Sequence, residues 1–106
     1  MKVILVCAGG MSSAIAAKSL KEAAEKEDIK MEVHESSTQR FEEMVKEDYD
    51  LALVAPQIRH RFDTLKPYAE ELDIPILQIA PKGYSPIGGK FLLNQIKDEA
   101  PEAFDK

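Results

Sequence analysis

The sequence predicts a three-layer α/β domain, with helices on both faces of a four-stranded parallel sheet. Two continuous apolar runs, residues 3–6 and 51–54, are typical of strands that are covered on both faces. Apolar residues at helical spacing follow each predicted strand, so strands and helices alternate along the chain. Right-handed crossovers then favour the strand order 2-1-3-4, with the continuous runs in the middle and the weaker strands at the edges.

The first half of the chain contains two strand–helix units and a third strand. Val3–Val6 is a buried strand, and apolar residues at helical spacing predict a helix over Ser13–Lys26. Alternating apolar and charged residues predict a half-exposed edge strand over Lys30–Glu35. A cluster of hydroxyl side chains then precedes a short helix predicted over Gln39–Lys46. The second continuous run, Leu51–Val54, is the next central strand.

The second half of the chain completes the alternation. Residues 62–72 carry helical spacing, and Pro67 inside this pattern predicts a break or kink just before it. Ile74–Ile79 is the fourth strand, at an edge of the sheet. A last helix is predicted over Phe91–Asp98. Pro101 ends that helix, and the remaining tail is expected to be frayed.

The composition limits the kinds of function. At 106 residues the chain is expected to form one domain, residues 1–106. A net charge of −5 argues against a surface for nucleic acid or anionic membranes. No stretch approaches the roughly 18 apolar residues that span a membrane. A single cysteine, Cys7, favours the reducing cytoplasm. Two isolated histidines and one cysteine are too few for a zinc site, so we expect no metal and no other cofactor.

The candidate site follows the first strand, which ends at Cys7. A turn with two glycines leads to the first helix, which Ser12 or Ser13 can cap. Backbone amides and the positive end of the helix would then converge near the sulfur, which suits a dianion and favours a thiolate. A lone cysteine at a strand end is more often a small core residue. The candidate anion-binding residues are Ala8, Gly9, Gly10, Met11, Ser12, Ser13 and Ala14.

Three segments carry a family resemblance. Cys7–Ser13, CAGGMSS, resembles the Cys-x-x-Gly-Met-Ser-[Ser/Thr] loop of enzyme IIB of the bacterial sugar phosphotransferase system, lactose/cellobiose family. Ala55–Arg59, APQIR, is similar to the Gly-Pro-Gln-Ile-Arg of that family, with alanine in place of the usual glycine. Tyr84 followed by Gly88–Lys90 is also similar. His60 departs from the family, where a tyrosine is common.

The resemblance implies a cytoplasmic phosphocysteine carrier. Cys7 would accept a phosphoryl group from a histidine of enzyme IIA, and the loop after it would bind the phosphate. The group would pass to a β-linked disaccharide of the cellobiose, chitobiose or lactose class, held by the membrane enzyme IIC. No contact with nucleic acid and no insertion into the membrane are expected. Gln57, Arg59 and Tyr84 are candidates for contacting a partner or supporting the site.

Other functions were weighed against the carrier. A low-molecular-weight phosphatase or arsenate reductase of similar layout would have Cys-x5-Arg, but Ser13 stands at the arginine position. No Asp-Pro loop supplies a general acid either, so hydrolysis of a phosphocysteine should be slow. A thiol redox protein would need a second cysteine. A nucleotide or flavin binder would normally lack a cysteine in this loop, and no aromatic pair is placed to hold a ring.

Overall fold

The computed structural model describes residues 1–8 and 11–105, without the side chains of Met11 and Ser12. Within these residues the strands are β1 (Lys2–Cys7), β2 (Glu32–Ser37), β3 (Leu51–Val54) and β4 (Ile76–Gln78). The α-helices are α1 (Met11–Lys26), α2 (Phe41–Met44), α3 (Phe62–Glu70) and α4 (Gly89–Glu99). Short 3₁₀ segments cover Pro56–Arg61, Pro81–Gly83 and Pro101–Asp105. The roles predicted for Gly9 and Gly10 lie outside the described residues.

The four strands form one parallel sheet in the order β2-β1-β3-β4, which confirms the predicted order. Every residue of the two apolar runs, 3–6 and 51–54, is at most 1% exposed. The reason is that helices cover both faces of the central strands. One cluster packs side chains of α1 and α4 against the sheet, and the other packs those of α2 and α3. The continuous runs therefore identified the central strands correctly.

The edge strands and the second helix are shorter or shifted relative to the prediction. β2 begins two residues later than predicted and continues to Ser37, whereas Met31 precedes it and is 5% exposed in the core. β4 has only three residues, and α2 only four. An edge strand has a neighbouring strand on one side only. Its apolar pattern can therefore be longer than the segment that is hydrogen-bonded in the sheet.

Of the break or kink predicted just before Pro67, the break is wrong, because α3 continues through this residue. Proline lacks an N–H, so within the helix it removes the bond to the carbonyl four residues earlier. Leu65 and Ala69, on either side of it, are 3% and 0% exposed, and their burial offsets that loss.

The prediction of a frayed tail is also wrong. Residues Pro101–Asp105 form a 3₁₀ segment after α4. Ala103 is 1% exposed in the cluster of α1 and α4, and Phe104 packs against it. The tail is held because it carries apolar side chains that complete this core.

Candidate functional site

The candidate site lies at the carboxyl edge of the sheet. Because all strands are parallel, the carboxyl ends of β1, β2, β3 and β4 lie at the same edge. Cys7 ends β1 and pairs with Ser37 at the end of β2. On its other side, the N–H of Ala55 donates to the carbonyl of Val6 at 2.9 Å. The connection after β1 leads to β2 on one side, and the connection after the neighbouring β3 leads to β4 on the other. Ligands of open parallel sheets bind at such points.

The Cys7 side chain is 6% exposed and packs with the cluster of α2 and α3. Its sulfur lies 3.8 Å from the carbonyl oxygen of Ser36, to which the S–H donates. This bond needs the thiol hydrogen, so it belongs to the protonated form. A thiolate there would need donors from another direction, which the first turn of α1 can provide.

The helix α1 begins at Met11, two residues before its predicted start. Ser12 and Ser13 are therefore the second and third helical residues, and the prediction that one of them caps the helix is wrong. The residue before Met11, Gly10, lies outside the described residues. The N–H groups of a first helical turn point beyond its N-terminal end, where the helix dipole is positive. Since three residues separate Cys7 from Met11, this positive end lies at the carboxyl edge.

The side chain of Ser13 is 2% exposed and donates a hydrogen bond to Glu35. The distance from Ser13 Oγ to Glu35 Oε1 is 2.6 Å. Glu35 is an exposed residue of β2 and pairs with Leu5, two residues before Cys7 along β1. Glu35 is not among the site residues predicted from the sequence. The parallel sheet itself was the signal, because it brings the carboxyl half of β2 beside the end of β1.

The structure places the other predicted residues on two further connections at the same edge. Gln57 and Arg59 are exposed in the 3₁₀ segment that follows β3. Ala8 and Ala14 are also exposed. Tyr84 is half-buried and packs against both apolar clusters, so it closes the core where the two faces of the sheet meet.

Two glutamines that we did not single out fix the connection leading to Tyr84. Gln95 in α4 accepts from the N–H of Ala80 at 3.0 Å and donates to the carbonyl of Gln78 at 2.8 Å. The side-chain amide of Gln78 donates to the carbonyls of Val54 and Ala55. These amides link the ends of β3 and β4 to α4. The sequence pattern does not mark them, because Gln95 lies in an amphipathic helix, where polar residues usually face water, and Gln78 ends a short edge strand.

The described residues contain no helix long and apolar enough to cross a membrane. Within the same part of the chain, no group of three His, Cys, Asp or Glu residues is placed to hold a metal ion. A cavity of about 560 Å³ lies between α1 and the segment before α4, and neither Cys7 nor Ser13 lines it. The candidate site is therefore at the surface edge of the sheet, apart from that cavity.

The fold and this edge define an α/β domain whose only cysteine lies at the switch point of a parallel sheet, beside the start of a helix. The sequence matches the family model of the lactose/cellobiose-specific IIB subunit of the sugar phosphotransferase system (PTS) over residues 2–95, and the chain belongs to this family. The resemblance predicted from the three segments is thereby confirmed. The chain is thus a IIB-type domain of this family.

Individual relatives agree with this assignment. The chain is 30% identical over 76 residues to the lactose-specific EIICB component of Lactococcus lactis subsp. lactis. That match covers 72% of this chain and 13% of the relative. The fold is similar to the lactose-specific IIB domain from Streptococcus pneumoniae, with a TM-score of 0.71 and 27% identity over 90% of this chain and 95% of that one. The cellobiose-specific IIB protein from Borrelia burgdorferi gives a TM-score of 0.68 and 26% identity, covering 99% and 92% of the two chains.

Proposed function

We propose that Cys7 carries a phosphoryl group from a phosphohistidine of enzyme IIA to a β-linked disaccharide bound by the membrane enzyme IIC. The sugar would be of the cellobiose, chitobiose or lactose class, and residues 1–106 would act as one IIB domain. The observation that carries the proposal is the position of Cys7 at the end of β1, next to the start of α1. The reaction would take place in the cytoplasm, where a single thiol stays reduced.

Each transfer step is a displacement at phosphorus, in which one bond to phosphorus forms and another breaks. In the first, the thiolate sulfur of Cys7 forms an S–P bond, and the N–P bond of the phosphohistidine breaks with its electron pair left on the imidazole. In the second, a sugar hydroxyl oxygen attacks phosphorus, the S–P pair returns to sulfur, and the hydroxyl proton passes to water. Both need stabilisation of three charged oxygens. The first-turn amides and the positive end of α1 would supply it.

The surroundings of Ser13 support a carrier over a hydrolase. In a Cys-x5-Arg phosphatase the arginine at this position binds the phosphate through two hydrogen bonds. Here the position supplies a hydroxyl bonded to the carboxylate of Glu35. Without the arginine, the attack of water on the phosphocysteine is poorly stabilised, so the intermediate should last long enough to be passed on.

The connection after β3 is the proposed contact with partners. Gln57 and Arg59 are exposed there, and this connection leaves the sheet directly beside the end of β1. The guanidinium of Arg59 is suited to an acidic partner surface or to the incoming phosphoryl group. Tyr84 is half-buried, so its proposed role is to support this edge of the sheet.

Intact-mass spectrometry tests the acceptor directly. Wild type and Cys7→Ser are incubated with enzyme IIA that has been phosphorylated on histidine. We expect one added phosphoryl group on wild type and none on Cys7→Ser. His60→Gln is the matched control, because it removes an exposed alternative acceptor and should be phosphorylated like wild type.

The folding of Cys7→Ser is checked in the same experiment. A buried serine without a full set of partners can cost about 1–3 kcal/mol. Circular dichroism and a thermal melt therefore accompany the mass measurement. Equal phosphorylation of wild type and a folded Cys7→Ser would remove Cys7 from the mechanism.

A further inference from the structure

We propose that Glu35 is a positioning residue that limits how tightly the Cys7 site holds a phosphoryl group. It would do so by engaging the Ser13 hydroxyl and by placing a negative charge beside the first turn of α1. The inference rests on the proposed phosphocysteine function. It adds a residue that none of the sequence motifs includes.

The geometry of the Ser13–Glu35 pair carries the first part of the argument. Ser13 is 2% exposed, and its Oγ lies 2.6 Å from Glu35 Oε1, within the short range of hydroxyl–carboxylate bonds. A serine hydroxyl has one hydrogen to donate. While that hydrogen is given to Glu35, it is not available to a phosphoryl oxygen. A phosphoryl group on Cys7 must therefore compete with Glu35 for this donor.

The charge of Glu35 carries the second part. Ser13 is the third residue of α1, so the hydrogen bond brings the carboxylate to the first turn of that helix. The positive end of a helix dipole attracts anions within about its first turn. A carboxylate already there offsets part of that attraction and repels a dianion.

This arrangement fits what a carrier requires. A site with only positive partners would bind the phosphoryl group tightly and make its release to a sugar slow. With Glu35 in place, the phosphorylated state is less stabilised, so transfer onward is favoured. The amides of α1 are still present to stabilise the charge that develops during transfer.

The substitution Glu35→Gln tests the inference. The glutamine has a similar size, and its carbonyl oxygen can still accept from Ser13, so the main change is the loss of one negative charge. Glu32→Gln is the matched control, since it removes the same charge from an exposed residue of the same strand. It lies about 10 Å further along β2, at roughly 3.3 Å per residue.

Two readouts follow. The first is the affinity for inorganic phosphate, from amide chemical shifts of residues 8–14 during a titration. The second is the fraction of phosphorylated Cys7 at equilibrium with phosphorylated enzyme IIA. For Glu35→Gln we expect phosphate to bind roughly three- to tenfold tighter than to wild type, with the equilibrium shifted toward phosphocysteine in the same proportion. The difference should shrink as KCl is raised, because the interaction lies near solvent.

The outcomes separate the two proposals. Unchanged phosphate affinity in Glu35→Gln, an equal gain in Glu32→Gln, or no detectable binding by any variant would overturn the role of Glu35. Phosphorylation absent from Cys7 in every variant would instead overturn the proposed function, whatever the phosphate titration gives. Thermal melts of both variants establish that they are folded, as expected for substitutions at exposed positions.

Discussion

The two ends of the parallel sheet are built differently. At the amino edge, polar contacts fix the start of β1: the N–H of Lys2 donates to Asp50 Oδ2 at 2.8 Å, and its Nζ donates to the carbonyl of Glu47 at 2.7 Å. The same ammonium lies 4.7 Å from the centre of the Tyr49 ring. Burial raises the pKa of Tyr49, and the nearby carboxylates of Glu47 and Glu32 raise it further.

The helix-to-strand turns at the amino edge share a second feature. Among the described residues, the non-glycine residues with positive φ are Asp28, Asp48 and Asp73, with φ of 58°, 62° and 56°. After α1, the N–H of Ile29 returns to the carbonyl of Ala24 at 2.9 Å, which is the closing bond of a Schellman turn. These turns connect the ends of helices to the starts of strands, and they contain none of the candidate site residues.

At the carboxyl edge, by contrast, the residues that the structure describes make few polar contacts with Cys7, and exposed polar side chains lie nearby. The thiol donates a weak bond to the carbonyl of Ser36 at 3.8 Å, while Gln57 and Arg59 face solvent. In this parallel sheet, the polar contacts that fix strand β1 lie at the edge opposite Cys7. Substitutions at the amino edge should change the free energy of unfolding without changing phosphoryl acceptance, whereas substitutions of the exposed polar residues at the carboxyl edge should change phosphoryl acceptance with little effect on unfolding.

The largest expected effect is at Gly89. This residue lies near the carboxyl edge, yet we expect its substitution to change stability. Gly89 begins α4 just after the carboxyl-edge connection, and a Cβ there would lie 2.1 Å from the backbone oxygen of Ser19 in α1. Gly89→Ala must therefore push the helices apart, and we expect a loss of about 3 kcal/mol or more in unfolding free energy. Urea denaturation measures it. Lys90→Ala, at the exposed neighbouring position, is the control and should change stability by less than about 0.5 kcal/mol.

A smaller loss is expected from Asp50→Ala at the amino edge. The substitution removes a charged acceptor and leaves the N–H of Lys2 without its partner, at a cost of about 2 kcal/mol. Asp50→Asn keeps an oxygen acceptor and should lose roughly half as much. Denaturation gives the stability, and phosphorylation by enzyme IIA gives the acceptance. A changed extent of phosphorylation in a folded Asp50 variant would contradict the separation of the two edges.

The smallest effect is a gain. Asp28 has φ of 58°, a left-handed conformation in which glycine avoids the steric cost of a side chain. Asp28→Gly should therefore raise the unfolding free energy by about 1 kcal/mol. Asp28→Ala also removes the carboxylate but keeps the Cβ, and should give no such gain. If both variants shift the melting temperature equally, the charge of Asp28 rather than its backbone decides the effect.

The sequence predicted the features that depend on local pattern. The continuous runs identified β1 and β3 as central strands, and the crossover rule then gave the strand order. The position of Cys7 at the carboxyl end of β1 followed from these. By contrast, the bond between Ser13 and Glu35 joins residues 22 positions apart in the sequence, and no periodicity encodes it.

The wrong predictions have the same cause as the failure to predict the bond between Ser13 and Glu35. For Pro67 and the tail beyond Pro101, the sequence supplies local propensity alone. Tertiary burial of Ala69 and Ala103 outweighs that propensity. The start of α1 was placed too late because serine is a common cap, whereas the structure has Ser13 inside the first turn, bonded across to β2.

The central claim is that the reactive atom of this protein is the sulfur at the carboxyl edge. Tandem mass spectrometry, after brief incubation with phosphorylated enzyme IIA and digestion near neutral pH, locates the phosphoryl group on the chain. We predict that it is found on Cys7. Phosphorylation of His34, His60 or a serine, with Cys7 unmodified, would contradict the account.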